Sequence, residues 1–154
     1  MANYGEAQGG SFSAFKIDSK DGKIIERIFN EVFGKGSNVV PERQENSHPH
    51  AVNLYKNNIY VCDLGNDNIW HYQIEDNKDK INNIKKIGSI ETPKGSGPRH
   101  MAIDEKSGMA YVLFELQCQI GIYEIDSESG NLKNKSFIST ITNRPGILDC
   151  NVII

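Results

Sequence analysis

Three stretches of the chain repeat one pattern of hydrophobic and polar positions: FKIDSKDGKI at residues 15–24, YQIEDNKDKI at 72–81 and YEIDSESGNL at 123–132. Each stretch has an aromatic residue, an isoleucine two positions later and then an acidic residue, and each ends on an aliphatic residue after a polar turn. Asp, Asn, Ser and Gly suit such turns because they bond to nearby backbone or tolerate positive φ. The pattern therefore predicts three copies of a strand–turn–strand unit.

The second and third copies extend upstream. HAVNLYKNNIYVCDLG, from His50, matches HMAIDEKSGMAYVLFEL, from His100, with one extra residue in the turn of the latter. Each segment contains two short strands around a polar turn. The runs at residues 59–64 and 111–116 are almost entirely apolar apart from Glu115, which is typical of strands buried on both faces.

The next two strands of the unit follow from the same pattern. Residues 69–74 alternate, so that Trp70, Tyr72 and Ile74 share one side, and a fourth, more polar strand is expected within 84–90. Four short antiparallel strands in roughly 50 residues indicate a β-propeller blade. An ordinary β-sandwich or meander is the alternative, but it does not require three copies in register.

The predicted fold class is therefore all-β, a partial β-propeller of about three four-stranded antiparallel blades. We expect one incomplete domain over residues 1–154: a partial blade at 1–46, blades at 47–94 and 95–142, and the start of a further blade at 143–154. Because propellers normally close with four to eight blades, we expect a fragment, a truncated product or one piece of a larger assembly. Open strand edges and apolar faces then predict self-association.

The composition of the chain argues against several kinds of function. The 154 residues carry a net charge of −3, which argues against general binding to nucleic acid or to anionic membranes. There is no apolar run long enough to span a membrane and no N-terminal signal pattern. Cys62, Cys118 and Cys150 are odd in number and lack CxxC spacing, so we interpret them as free thiols in a reducing compartment and expect a cytoplasmic protein.

Blade geometry predicts which candidate functional residues lie close together. The start of a first strand and the end of a second strand lie at the same end of a four-stranded antiparallel sheet. The residues that begin first strands are His50, Arg99 and His100, and those that end second strands are Asn3, Tyr4, Asp63 and Glu115. A polar pocket near the propeller axis is therefore expected.

Each candidate also has a structural alternative. GSGPRH, residues 95–100, reads as a turn with solvated charges as well as an anion-holding loop. Asp63 and Asp67 suit a role in holding a loop through backbone amides, and His48 and His71 suit surface or packing positions. Glu115 is costly to bury without a partner, and Arg99 is the obvious one. No spacing typical of a zinc or calcium site appears, so no metal is expected.

The motifs SHPHAVNL, DLGND, GSGPRHMAI and FEL, with ANYG upstream, resemble in order and spacing the 6-phosphogluconolactonase-type propellers, a family that also contains carboxymuconate-lactonising enzymes. The resemblance implies a seven-bladed propeller that acts on a small anionic lactone without a cofactor, with His50, Arg99 and Glu115 in its pocket. We add His100 and Asp63 as candidate substrate-binding residues. The family's arginine from a later blade has no match, and Arg144 lies too early in its blade.

Lactone hydrolysis explains these residue types. A carboxylate or an imidazole can accept the proton of the attacking water, and a cation can stabilise the oxyanion or bind a phosphate. We expect Glu115 as base or water-orienting group, Arg99 as oxyanion or phosphate clamp, and His50 as a second proton-transfer or substrate-binding group. The alternatives are a muconate-type lactonising isomerase and a non-catalytic remnant that serves as a binding scaffold.

Overall fold

The computed structural model describes residues 1–5, 8–77 and 80–141. The predicted start of a further blade at 143–154, with Arg144 and Cys150, lies outside the described residues. The described part forms three antiparallel sheets. The first sheet contains β1 (Ala2–Asn3), β2 (Ser11–Ile17) and β3 (Ile24–Val32); the second contains β4 (Pro49–Tyr55), β5 (Asn58–Asp63), β6 (Asn68–Asn77) and β7 (Lys80–Glu91); the third contains β8 (Pro98–Asp104), β9 (Met109–Phe114), β10 (Gln119–Ile125) and β11 (Leu132–Ser139).

The three sheets stack face to face in chain order. Each sheet pairs its strands in sequence, and within the described residues the first sheet has no counterpart of the strand that opens the other two. The opening strands β4 and β8 contact each other on one side, and the last strands β3 and β7 contact each other on the other side. This is the arrangement of consecutive propeller blades, so the predicted partial β-propeller is confirmed.

The core lies between the sheets, and β5 separates its two halves. Tyr60 and Cys62 point to the third sheet, where they join one apolar cluster. Ile59 and Val61 point to the first sheet and join the other. Because side chains alternate along a strand, the middle of β5, residues 59–62, must be apolar on both faces, as its sequence predicted. All six of its residues are buried.

The second face of β9 is less covered than its sequence suggested. Ala110 and Val112 pack into the cluster between the second and third sheets. Tyr111, which lies between them on the opposite face, is 38% exposed. No further sheet packs on that side within the described ranges, which explains why Tyr111 is partly exposed, although Leu113 on the same face is buried.

The repeated polar turns have the predicted strand–turn–strand form. In the first sheet, the N–H of Asp18 donates to the carbonyl of Lys23, and Gly22 donates back to Asp18. In the third sheet, Asp126 pairs in the same way with Asn131 and Gly130. The acidic residue that both repeats share thus closes the turn between the third and fourth strands of a blade.

The opening strands β4 and β8 share a β-bulge that the sequence alignment missed. In β4 the register with β5 shifts between Pro49 and Ala51, so His50 is the extra residue. In β8 the register with β9 shifts between Pro98 and His100, so Arg99 is the extra residue. His50 therefore corresponds to Arg99 rather than to His100, and the matching of the two histidines was wrong by one position.

The cysteines differ from expectation in one respect. Cys62 is a free and fully buried thiol, whereas Cys118 is disulfide-bonded. The interpretation of Cys118 as a free thiol was therefore wrong, and the argument for a reducing compartment loses that support. Across the described ranges, there is no helix of the length and apolar character needed to cross a bilayer.

Candidate functional site

The two β-bulges place His50 and Arg99 side by side at one end of the sheets. A bulge releases its extra residue from the ladder and turns the side chain away from the pleat. The Nε of Arg99 lies 2.9 Å from the Nε2 of His50 and donates a hydrogen bond to it. Neighbouring blades thus each contribute one bulged residue to the same point, close to the propeller axis.

Glu115 reaches the same point from the end of β9. It opens a short 3₁₀ turn, Glu115–Gln117. Its N–H donates to the carbonyl of Gly97 at 3.0 Å, and the N–H of Leu116 donates to Ser96 at 3.0 Å. The loop before β8 and the loop after β9 are therefore tied together, which fixes the carboxylate beside Arg99.

Two arginines hold the Glu115 carboxylate. The Nε of Arg99 lies 3.0 Å from Oε2, and Arg43 Nη2 donates to Oε1. The Glu115 side chain is only 12% exposed, so desolvation would be costly without these partners. The predicted pairing of Glu115 with Arg99 is present, and Arg43 adds a second cation. We call Tyr4, Arg43, His50, Arg99, His100 and Glu115 the polar cluster.

His50 is held in the neutral state. Its Nε2 accepts the hydrogen bond from Arg99, and the ring of His100 packs edge-on at 4.9 Å between centroids. Burial lowers the pKa of His50 most, and the positive charge of Arg99 and the neighbouring His100 lower it further, against a smaller opposing effect of Glu115. Burial and Arg99 also lower the pKa of His100. Near neutral pH both imidazoles are therefore uncharged.

Tyr4 closes one side of the polar cluster from the end of β1. Its ring stacks on His48 at 4.2 Å with an interplanar angle of 11° and meets His50 edge-on at 6.1 Å. Partial burial raises the pKa of Tyr4, so its hydroxyl stays protonated at neutral pH. His48 is buried, as expected of a packing residue, and it supports Tyr4 rather than facing the arginines.

Arg43 is the member of the polar cluster that sequence reasoning missed. It lies in the long connection between β3 and β4, next to Gln44, which is completely buried. Gln44 donates to the carbonyl of Leu64 at 2.8 Å and to Asp67 at 2.7 Å. This anchor fixes the loop and hence Arg43. The segment PERQEN gave no signal, because charged residues in a long connection are also typical of solvated surface.

The GSGPRH loop, residues 95–100, does hold an anionic group, and that group is the side-chain carboxylate of Asp67. The Asp67 carboxylate accepts hydrogen bonds from the N–H of Gly95 at 2.7 Å and of Gly97 at 2.9 Å. Ser37 and Gln44 donate to the same carboxylate from the preceding connection. Gly97 adopts φ 61°, and a Cβ there would lie 2.7 Å from a carbon of Leu116. The glycines thus shape an internal anchor, and Arg99 follows directly after it.

Asp63 has the structural role that was its alternative. Its carboxylate is fully buried and accepts hydrogen bonds from Ser47 Oγ at 2.6 Å, His48 N at 2.8 Å and Trp70 Nε1 at 2.9 Å. Asn66 adds a further bond at 3.0 Å. With its oxygens occupied in this way, Asp63 as a substrate-binding residue has no support from the geometry. His71 is also buried, and its Nε2 forms a hydrogen bond with the side chain of Asn58. His71 is not a member of the polar cluster.

The arrangement suits an anionic ligand better than a metal ion. Among the described residues, no group of three or more His, Cys, Asp or Glu side chains is placed to hold a metal. Two guanidinium groups, those of Arg43 and Arg99, face one carboxylate in the polar cluster. Arginine binds carboxylate and phosphate oxygens in bidentate fashion.

Comparison with known proteins identifies the family. A sequence model described as "Lactonase, 7-bladed beta-propeller" matches residues 1–147. The chain belongs to this lactonase family. A 6-phosphogluconolactonase of Formosa agariphila is 31% identical over 127 residues, 80% of this chain and 34% of its own length. The 6-phosphogluconolactonase of Bacillus subtilis is 32% identical over 110 residues, 70% of this chain and 29% of its own length.

Solved structures share the lactonase fold. A protein from Lactobacillus plantarum superposes with a TM-score of 0.73 and 26% identity over 92% of this chain and 39% of its own. The periplasmic gluconolactonase of Pseudomonas aeruginosa gives a TM-score of 0.79 at 24% identity, over 92% of this chain and 39% of its own. The chain thus spans about a third of the length of the relatives that it matches.

Proposed function

We propose that the full-length protein hydrolyses a sugar-acid lactone of the 6-phosphogluconolactone type, and that the polar cluster is part of its active site. Membership of the lactonase family and the names of the relatives from Formosa agariphila and Bacillus subtilis support this proposal. The observation that carries it is the contact of Arg43 and Arg99 with one buried carboxylate, beside a neutral imidazole.

The proposed reaction uses the groups as follows. A water oxygen bonds to the lactone carbonyl carbon, the ring C–O bond then breaks, and the proton lost by water ends on the leaving hydroxyl. Glu115 accepts that proton during the attack, an assistance typically worth 10²–10⁴-fold. Arg99 stabilises the oxyanion or holds the anionic group of the substrate. His100, at the rim of the polar cluster, contacts the substrate.

The test is lactone hydrolysis by the full-length protein, with 6-phosphogluconolactone and gluconolactone compared as substrates. Glu115→Gln removes the charge that both arginines contact, and we expect turnover to fall by about 10²-fold or more. Glu105→Gln, at an exposed turn between β8 and β9, is the matched control and should leave turnover unchanged. Equal turnover in the two variants would remove Glu115 from the mechanism.

Lactonisation of a muconate-like diacid is the second candidate reaction, because the two guanidinium groups of the polar cluster suit a diacid equally well. Product identification separates the two reactions, since hydrolysis opens a ring and lactonisation closes one. A non-catalytic scaffold is the third candidate. Absence of turnover with both substrate classes in the full-length protein would favour it.

Self-association through open faces is a separate proposal for the isolated 154-residue chain. Phe137 and Ile138 of β11 are 45% and 54% exposed, and Ile24 and Ile25 of β3 are similarly uncovered. Both strands lie at the edges of their sheets, and exposed apolar side chains on edge strands favour contacts with a second molecule. We expect a mass above that of one chain in light scattering, and a concentration-independent monomer would contradict this.

A further inference from the structure

Among the described residues, the polar contacts of the protein with the Arg99 guanidinium group lie along its Nε edge. Its Nε–H donates to His50 Nε2 at 2.9 Å, and Nε lies 3.0 Å from Glu115 Oε2 in an ion pair. A guanidinium group carries five N–H donors. Within the part of the chain that the structure describes, the hydrogen bonds of Arg99 all leave from Nε. The four donors on the two Nη atoms are therefore left for a ligand.

The same contact decides the tautomer of His50. Arginine can only donate, so the Nε2 of His50 must carry a lone pair, and a neutral ring must then carry its proton on Nδ1. The Nδ1 atom is buried and has no hydrogen-bond partner among the described residues. The basic nitrogen of His50 is thus occupied by Arg99, and its other nitrogen lies where water does not reach.

Protonation of His50 is opposed by its surroundings. The charged or titratable groups that face it are Tyr4, Arg99, His100 and Glu115. A proton on Nε2 would replace the hydrogen bond to Arg99 with a contact between two cations, and only Glu115 would favour the added charge. A base that gains its proton against a neighbouring guanidinium is poorly suited to accept one from water.

We propose that His50 is a positioning residue for Arg99 and not the base of the reaction. His50 and Glu115 together hold the Nε edge, so that the Nη pair is directed at an anionic group of the ligand, a carboxylate or a phosphate, in bidentate fashion. The identity of that ligand as a sugar acid rests on the proposed function. The orientation of Arg99 and the tautomer of His50 do not.

The tautomer can be measured without turnover. Two-bond ¹H–¹⁵N correlation spectra of the full-length protein, assigned by comparison with His50→Gln, should show a pyrrole-type Nδ1 and a pyridine-type Nε2 for His50. In Arg99→Lys, which cannot offer Nε–H, the preference for this tautomer should weaken. A proton on Nε2 in the wild-type protein would overturn the proposal.

Kinetics separate positioning from base catalysis. The amide oxygen of His50→Gln can still accept from Arg99, so kcat should stay within about tenfold of wild type, whereas loss of a general base costs 10²–10⁴-fold. His50→Leu offers no acceptor, and KM should rise roughly tenfold with kcat little changed, because a hydrogen bond to a charged group is lost. A fall in kcat of about 10²-fold or more in His50→Gln would refute the positioning role.

Anion binding identifies the group that Arg99 holds. Calorimetric titration with gluconate, glucose 6-phosphate and 6-phosphogluconate distinguishes a carboxylate from a phosphate, and the group that matters is the one whose affinity falls about tenfold in His50→Leu. Equal affinities in wild type and His50→Leu would contradict the proposal. If the wild-type protein binds these anions and shows the Nδ1–H tautomer but hydrolyses no lactone, the proposed function fails while the positioning role stands.

Discussion

Replacement of Asp67 by Asn tests whether one buried carboxylate holds the loops of the site. Asp67 is buried and adopts φ 54°, a conformation that Asn tolerates well. Asp67→Asn therefore changes the hydrogen bonds and not the backbone preference. The carboxylate accepts four hydrogen bonds, from Ser37 Oγ, Gln44 Nε2, Gly95 N and Gly97 N.

The expected magnitude follows from which donors lose their acceptor. With the new amide nitrogen in the place of Oδ2, the Ser37 hydroxyl can rotate to accept, but the N–H of Gly95 faces another donor. An unsatisfied buried donor costs about 1–3 kcal/mol, and the remaining bonds lose their charge assistance. We expect the free energy of unfolding to fall by about 2–4 kcal/mol.

Urea unfolding of the full-length protein, followed by tryptophan fluorescence and circular dichroism, measures this change as a lower midpoint at constant slope. The control is Asp104→Asn, which alters a carboxylate that also accepts from backbone and hydroxyl donors but lies in an exposed turn. The control should change stability much less. If Asp67→Asn is no more destabilising than Asp104→Asn, the buried carboxylate does not hold the two loops.

Three further predictions concern packing and titration. In Gly97→Ala, the new Cβ would sit on a backbone with φ 61° and lie 2.7 Å from a carbon of Leu116, so the free energy of unfolding should fall by about 1–3 kcal/mol. Turnover should also fall, because the Gly97 carbonyl accepts the hydrogen bond from the Glu115 amide. A melting temperature and a turnover equal to those of the wild type would contradict this prediction. Burial lowers the pKa of His71 from 6.5, so as the pH falls the unfolded chain binds a proton at His71 before the folded protein does. The free energy of unfolding should therefore decline as the pH falls below about 6.5. In His71→Gln, urea unfolding at several pH values should show a smaller decline. Burial raises the pKa of the Cys62 thiol to about 12, so Cys62 should resist thiol reagents until the protein unfolds, and rapid labelling of the native protein at Cys62 would show that the thiol is reached without unfolding.

The sequence predicted the fold where hydrophobic pattern and strand pairing agree. The apolar middle of β5, residues 59–62, packs as expected, and so does the alternating β6, with Trp70, Tyr72 and Ile74 on one side. A strand pattern encodes which face is buried, since side chains alternate along it. Chain order alone then placed the ends of first and second strands together, which is why His50, Arg99 and Glu115 meet.

The rest depends on contacts that no local pattern encodes. Nothing in the sequence marks His50 or Arg99 as the extra residue of a bulge, because a bulge is a property of two paired strands. Arg43 reaches Glu115 across 72 residues of chain through a loop fixed by Gln44. Asp67 was recognised only as a general loop-holding residue, since its partners lie in two separate connections.

The shared bulge has a consequence for how such a repeat can diversify. The other residues of an opening strand pair with the adjacent strand or pack between sheets. A substitution at those positions therefore disturbs the residues that contact them. The bulged residue has no partner in the strand pairing. Histidine at this position in one repeat and arginine in the next therefore leave the pairing of the flanking residues the same. Each of these two blades therefore has one position at which a single substitution can change the chemistry of the central site with little effect on the packing of the sheets.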